Sequence, residues 1–140
     1  MNKHERVIVI LLRIIGISGL FAIPAIFLPY SWMNATHEFL GLGELPNAPI
    51  VDYLTRSLSA FYAVVALHAL LISADVRKYR AFVKLWAVFA TCFGVVILGV
   101  DLHAGLPLSW TLSEGPPTIL VGVLLLWLHR FIQEPAAAND

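Results

Sequence analysis

Four apolar blocks, each about as long as a bilayer is thick, constrain this chain more than any other feature of its sequence. They are Val7–Leu28, Tyr53–Ala74, Ala81–Val100 and Glu114–Ile132. At a helical rise of about 1.5 Å per residue, segments of this length cross the roughly 30 Å hydrocarbon core of a membrane. The sequence therefore predicts an all-α fold, a bundle of four transmembrane helices that forms a single domain over residues 1–140.

The composition agrees with a membrane location and excludes other classes of protein. Hydrophobic residues make up 59% of the chain and charged residues 13%, with a mean hydropathy of +0.82. An ordinary soluble domain is about 25% charged. The formal net charge is zero, so the chain has no basic excess that would indicate a nucleic-acid partner. The lipid bilayer is the first partner that the sequence implies.

Basic residues are divided unevenly between the segments that join the blocks. The predicted outer loops at 29–52 and 101–113 hold no Lys or Arg. Seven basic residues lie near the N terminus, after the second block and at the end of the fourth: Lys3, Arg6, Arg77, Lys78, Arg80, Lys84 and Arg130. Because Lys and Arg concentrate in short cytoplasmic segments, both termini are predicted to be cytoplasmic. Residues 134–140 are predicted as a short disordered end.

Three ionisable residues stand at the predicted outer ends of the spans: Arg56, Asp101 and Glu114. A charge that faces lipid is costly, so each side chain should face protein or water. Each also shares a helical face with small residues, where membrane helices approach closely. The sequence therefore predicts one outer polar cluster. It is either an ion-pair network that fixes helix register or a pocket for a cation or polar ligand.

Further polar residues are accessory candidates. His37, Glu38 and His103 lie in the outer loops, whereas Arg13 and His68 lie nearer the cytoplasmic side. Arg13 is predicted to extend its long side chain towards the lipid headgroups. The loop carboxylates and imidazoles have no compact ligand spacing, so no metal site is predicted.

Redox and catalytic motifs are not evident in the sequence. It contains no CxxC pair, no haem-attachment motif, no GxSxG and no phosphate-binding loop. His68 and His129 are an alternative pair of haem ligands, but His129 at the membrane edge is better interpreted as an interfacial residue. The single Cys92 is expected to pack as a small buried thiol. No cofactor and no catalytic residue are predicted.

Three stretches of sequence carry a resemblance to a known family. They are HEFLGLGELP at His37–Pro46, YLTRSLSAFYA at Tyr53–Ala63 and EGPP at Glu114–Pro117. With four short spans, an arginine in the first and a long first outer loop, the chain resembles the DoxX-like group of small bacterial inner-membrane proteins. The resemblance implies a multi-pass protein of that membrane. Some members of the group are quinone-linked oxidoreductase subunits, but the resemblance supplies no catalytic motif for this chain.

These observations leave two functional hypotheses. The first is a non-catalytic membrane module, either an accessory subunit or a four-helix bundle that contacts lipid or quinone. The second is a small transporter or channel protomer that uses Arg56, Asp101 and Glu114 as an extracytoplasmic site. Both are compatible with a membrane-protein partner or a homo-oligomer. An enzyme has the least support, because no pair of nucleophile and base can be named.

Overall fold

The computed structural model describes residues 1–133, and every regular element among them is a helix. The helices are α1 (Lys3–Leu20), α2 (Ala22–Ala25), α3 (Tyr30–Phe39), α4 (Pro49–Ala74), α5 (Arg80–Ala104) and α6 (Leu108–His129). Four segments are long and apolar enough to cross a membrane, namely α1 with α2, α4, α5 and α6. This confirms the all-α class and the four candidate spans. The tail predicted at 134–140 lies outside the described residues.

The first predicted outer loop, 29–52, is partly helical. It contains α3, and α4 already begins at Pro49 instead of Tyr53. A proline is favoured in the first turn of a helix, where its missing N–H would have no partner in any case. The earlier start brings Asp52 into the first turn of α4.

The second predicted outer loop, 101–113, is reduced to a tight turn. Helix α5 continues to Ala104 and ends at Gly105, whose φ of 68° is the left-handed conformation that favours glycine. Helix α6 begins at Leu108, so Pro116 and Pro117 lie inside it. Ser113 stands just before the start that the sequence predicts for the fourth span at Glu114, but it is not a helix N-cap, because α6 begins earlier and the Ser113 hydroxyl donates to the carbonyl oxygen of Trp110 within the helix.

The start of α1, residues 130–133 and the α4–α5 turn at 75–79 meet at one end of the bundle, which we call the terminal end. The fully buried Glu5 carboxylate accepts hydrogen bonds from Arg77 Nε at 2.9 Å and Arg77 Nη2 at 2.8 Å. The backbone N–H groups of Asn2 and Gln133 also donate to Glu5, at 2.8 and 3.1 Å. The hydrogen bonds to Glu5 raise the pKa of Arg77 above its ordinary value, so the guanidinium stays charged.

The long helices pack as two pairs, α1 with α4 and α5 with α6, and α1 also contacts α6. Small residues allow the close approach of α5 to α6. A Cβ atom placed on Gly122 would lie 2.6 Å from Thr91 N. Helical spacing predicts a contact stripe of Ala87, Ala90, Gly94 and Asp101 on α5, of which Ala87, Gly94 and Asp101 are buried and Ala90 is half-buried.

The hydrophobic core fills the half of the bundle nearest the terminal end. Its members include Ile8 and Leu12 of α1, Ala69 and Ile72 of α4, Val83 and Ala87 of α5, and Leu125 and Leu128 of α6. Towards the opposite end, which we call the distal end, the residues between the two pairs line an open cleft instead. The bundle is therefore closed at one end and open at the other.

The outer surface of the long helices is mostly apolar, as expected when lipid is the solvent. Cys92 is exposed on this surface, so its predicted burial is wrong. Helical phase explains the difference. Cys92 and Asp101 are nine positions apart in α5, or about two and a half turns, which puts them on opposite faces. Asp101 faces the protein interior, and Cys92 therefore faces outwards.

Candidate ligand-binding cleft

The open cleft lies between the α1–α4 pair and the α5–α6 pair and has a volume of about 850 Å³. This volume is within the range of about 300–1,000 Å³ that is usual for small-molecule pockets. Most of its wall is apolar and comes from Leu58, Val65, Phe93, Ile97, Leu106 and Trp110. The cleft can therefore hold an apolar group of the size of a small molecule.

One region of the cleft is polar and combines three helices. It contains Tyr62 of α4, Asp101 of α5 and Glu114 of α6. The Tyr62 hydroxyl donates to Glu114 Oε1 over 3.4 Å, which is a long hydrogen bond. Two of the three predicted cluster residues, Asp101 and Glu114, therefore share one cavity.

Asp101 has an unusual environment for a carboxylate. The residue is only 3% exposed, and its Oδ2 atom has no hydrogen-bond partner among residues 1–133. No Lys, Arg or His is among the described residues that line the cleft. Buried polar atoms in proteins are nearly always hydrogen-bonded. The polar region of the cleft thus has hydrogen-bond acceptors in excess of donors.

Arg56 does not join this polar region, which corrects the predicted ion-pair network. Its Nε donates to Asp52 Oδ1 at 2.9 Å, and its Nη2 lies 2.9 Å from the same oxygen. Its Nη1 and Nη2 also donate to the carbonyl oxygens of Ile26 and Leu28, after the end of α2. The reason is local, because residues at i and i+4 of a helix are neighbours and the carbonyls at a helix end lack partners.

The accessory candidates from the outer loops also lie apart from the cleft lining. His37 Nδ1 is 2.8 Å from the carbonyl oxygen of Gly43, which connects α3 to the segment after it. Glu38 accepts a hydrogen bond from Asn34 within α3, and His103 is exposed in the last turn of α5. These contacts are within or beside their own segments.

The accessory candidates within the spans face outwards. Arg13 is exposed in the terminal half of α1, beside a smaller polar pocket that also includes Glu5 and Arg77. His68 is exposed, and its Nδ1 lies 2.8 Å from the carbonyl oxygen of Val64, one turn earlier in α4. Neither residue lines the cleft between the helix pairs.

Tyr62 belongs to the polar region of the cleft but is not among the site residues predicted from the sequence. A useful signal was present, since Tyr62 lies well inside a span and tyrosines in membrane helices usually occupy the interfaces. Trp110 lines the cleft as well. Within residues 1–133, no group of three His, Cys, Asp or Glu side chains has an arrangement that could hold a metal ion.

The four apolar helices define the class of this chain as a helical protein with the span lengths and composition of a multi-pass membrane protein. Comparisons with protein-family models, with curated proteins and with solved structures found no match.

Proposed function

We propose that this chain is a non-catalytic membrane module whose distal cleft holds an amphipathic molecule of the lipid or quinone class. The observation that carries the proposal is the cleft itself, with a long apolar wall and one polar region. An amphipathic molecule would place its apolar body against the apolar wall and its polar head in the polar region. Arg56 helps to keep the cleft in shape by attaching the end of α2 to α4.

Photoaffinity labelling tests this proposal. A fatty alcohol with a diazirine in its tail, and in parallel a diazirine-bearing quinone, are added to the protein in phosphatidylcholine nanodiscs. The labelled peptides are mapped by mass spectrometry. We expect the labelled sites of at least one probe to concentrate on cleft residues such as Leu58 and Trp110.

A pair of neighbouring variants provides the control. Val65→Phe fills part of the cleft and should lower cleft labelling by about fivefold, a loss of about 1 kcal/mol of binding free energy. Val64→Phe adds the same volume at a position that is 49% exposed and does not line the cleft, so labelling should be unchanged. Labelling spread evenly over the outer helix surfaces, and equal in both variants, would contradict the proposal.

We also propose that the protein is a DoxX-like protein of the bacterial inner membrane with both termini in the cytoplasm. The basic residues support this orientation, because Lys3, Arg77 and Lys78 are all near the terminal end and the distal turns hold no Lys or Arg. Lys and Arg concentrate on the cytoplasmic side of membrane proteins.

Cysteine labelling in spheroplasts tests the orientation. In a Cys92→Ser background, single cysteines replace Asn47, Ser109 or Lys78, all of which are exposed. Asn47→Cys and Ser109→Cys should react with an impermeant maleimide from outside, whereas Lys78→Cys should react only after lysis. Reaction of Lys78→Cys in intact spheroplasts would reverse the proposed orientation.

A further inference from the structure

We infer that the cleft selects an amphipathic cation, a molecule with a single ammonium-type head and an apolar body. This inference rests on the proposed function, because it names the head group of the molecule that the cleft holds. The Asp101 carboxylate binds the head group, and Glu114 and Tyr62 lie beside it.

The first step of the argument is charge compensation within the helices. The chain pairs Glu5 with Arg77 and Asp52 with Arg56, so two other carboxylates of the bundle each have a guanidinium partner. Within residues 1–133, Asp101 has no such partner, although it is 3% exposed and lines the cleft. A buried carboxylate without a partner is costly. A cationic ligand would supply the missing donor and the missing charge together.

The second step concerns which head groups fit. The polar region holds the two carboxylates Asp101 and Glu114, and no Lys, Arg or His of residues 1–133 lines the cleft. A phosphate or carboxylate head would therefore meet two acceptors and no compensating cation. A hydroxyl head can donate one hydrogen bond but does not compensate the negative charge of the carboxylates. An ammonium head has three N–H donors and a positive charge. Among these head groups, ammonium fits best.

Three probes that differ only in the head group, together with a phospholipid probe, test the inference on the unmodified chain. Diazirine probes with one common alkyl tail carry an ammonium, a hydroxyl or a carboxylate head, and a fourth probe is a diazirine phosphatidylethanolamine. The concentration for half-maximal labelling of cleft residues is measured in phosphatidylcholine nanodiscs. The ammonium probe should label at an about tenfold lower concentration than the hydroxyl probe. The carboxylate and phosphatidylethanolamine probes should label more weakly than the ammonium probe.

Substitution of the proposed contact gives a second measurement. Asp101→Asn keeps the size of the side chain but removes its charge, so the ammonium probe should lose its advantage over the hydroxyl probe. Glu44→Gln is the matched control, because Glu44 is exposed and outside the cleft. That variant should keep the tenfold difference. The comparison on the unmodified chain does not depend on whether Asp101→Asn folds.

The outcomes separate this inference from the proposed function. Equal cleft labelling by the ammonium and hydroxyl probes would overturn the inference and leave the proposed function standing. Stronger labelling by phosphatidylethanolamine than by the simple ammonium probe would overturn the inference that the head group is a single ammonium-type cation. If none of the head-group probes and no quinone probe labels the cleft, both the inference and the proposed function are overturned.

Discussion

Gly122→Ala is expected to force α5 and α6 apart and to lower the free energy of unfolding by about 3 kcal/mol, near the upper end for overpacked sites. The added Cβ atom would lie 2.6 Å from Thr91 N and 2.9 Å from the carbonyl oxygen of Ala87. Both are backbone atoms, so no rotation of a side chain can relieve the overlap. Thermal unfolding of the purified protein in a mild detergent measures the loss.

Gly99→Ala is the control for this substitution. It makes the same chemical change within a long helix, but a Cβ atom at Gly99 would meet no atom within 4 Å. Alanine is a better helix former than glycine, so this variant should gain about 0.5–1 kcal/mol. If Gly99→Ala and Gly122→Ala were equally destabilised, the close packing of α5 on α6 could not be the cause.

The parts of the fold that depend on local pattern could be predicted from the sequence. Apolar blocks of bilayer length predict long helices without any knowledge of their neighbours. Helical phase also predicted that Asp101 lies on the buried face with Ala87 and Gly94, because the 3.6-residue period relates these positions directly. A rule of this kind needs only the spacing between residues of one segment.

The choice of ion-pair partners could not be predicted in the same way. Arg56 was expected to pair with Asp101 or Glu114 because the predicted spans place the three residues at matching depths. The partner is Asp52, which the predicted start of α4 at Tyr53 left in a loop. An error of four residues in the predicted start of α4 therefore led to the wrong ion-pair partner for Arg56.

The cleft depends on how the helices pair, and this is a tertiary property. Each span has both small and bulky faces, so the sequence does not decide whether four helices close around one axis or form two pairs that separate at one end. The structure has the second arrangement, with the core at the terminal end and the cleft at the distal end. Tyr62 becomes a site candidate only once α4 is placed opposite α6.

The Glu5–Arg77 pair was also beyond the sequence analysis, since its members are 72 positions apart, and it carries the second large predicted effect. Removal of either partner should lower the melting temperature of the detergent-solubilised protein by roughly 5 °C or more, as expected for the loss of charged hydrogen bonds in a small domain. Glu38→Ala is the control, because Glu38 is exposed and accepts one hydrogen bond within its own helix. That variant should melt within about 1 °C of the parent.

The two single variants should differ in a defined order. The Glu5 side chain is 0% exposed and that of Arg77 is 36% exposed. Arg77→Ala leaves a buried carboxylate without its cation, whereas Glu5→Ala leaves a guanidinium that water can reach, so Arg77→Ala should be the less stable of the two. The double variant should lose less than the sum of the single losses, because each substitution removes the same interaction. Strictly additive losses would mean that the pair does not hold the terminal end together.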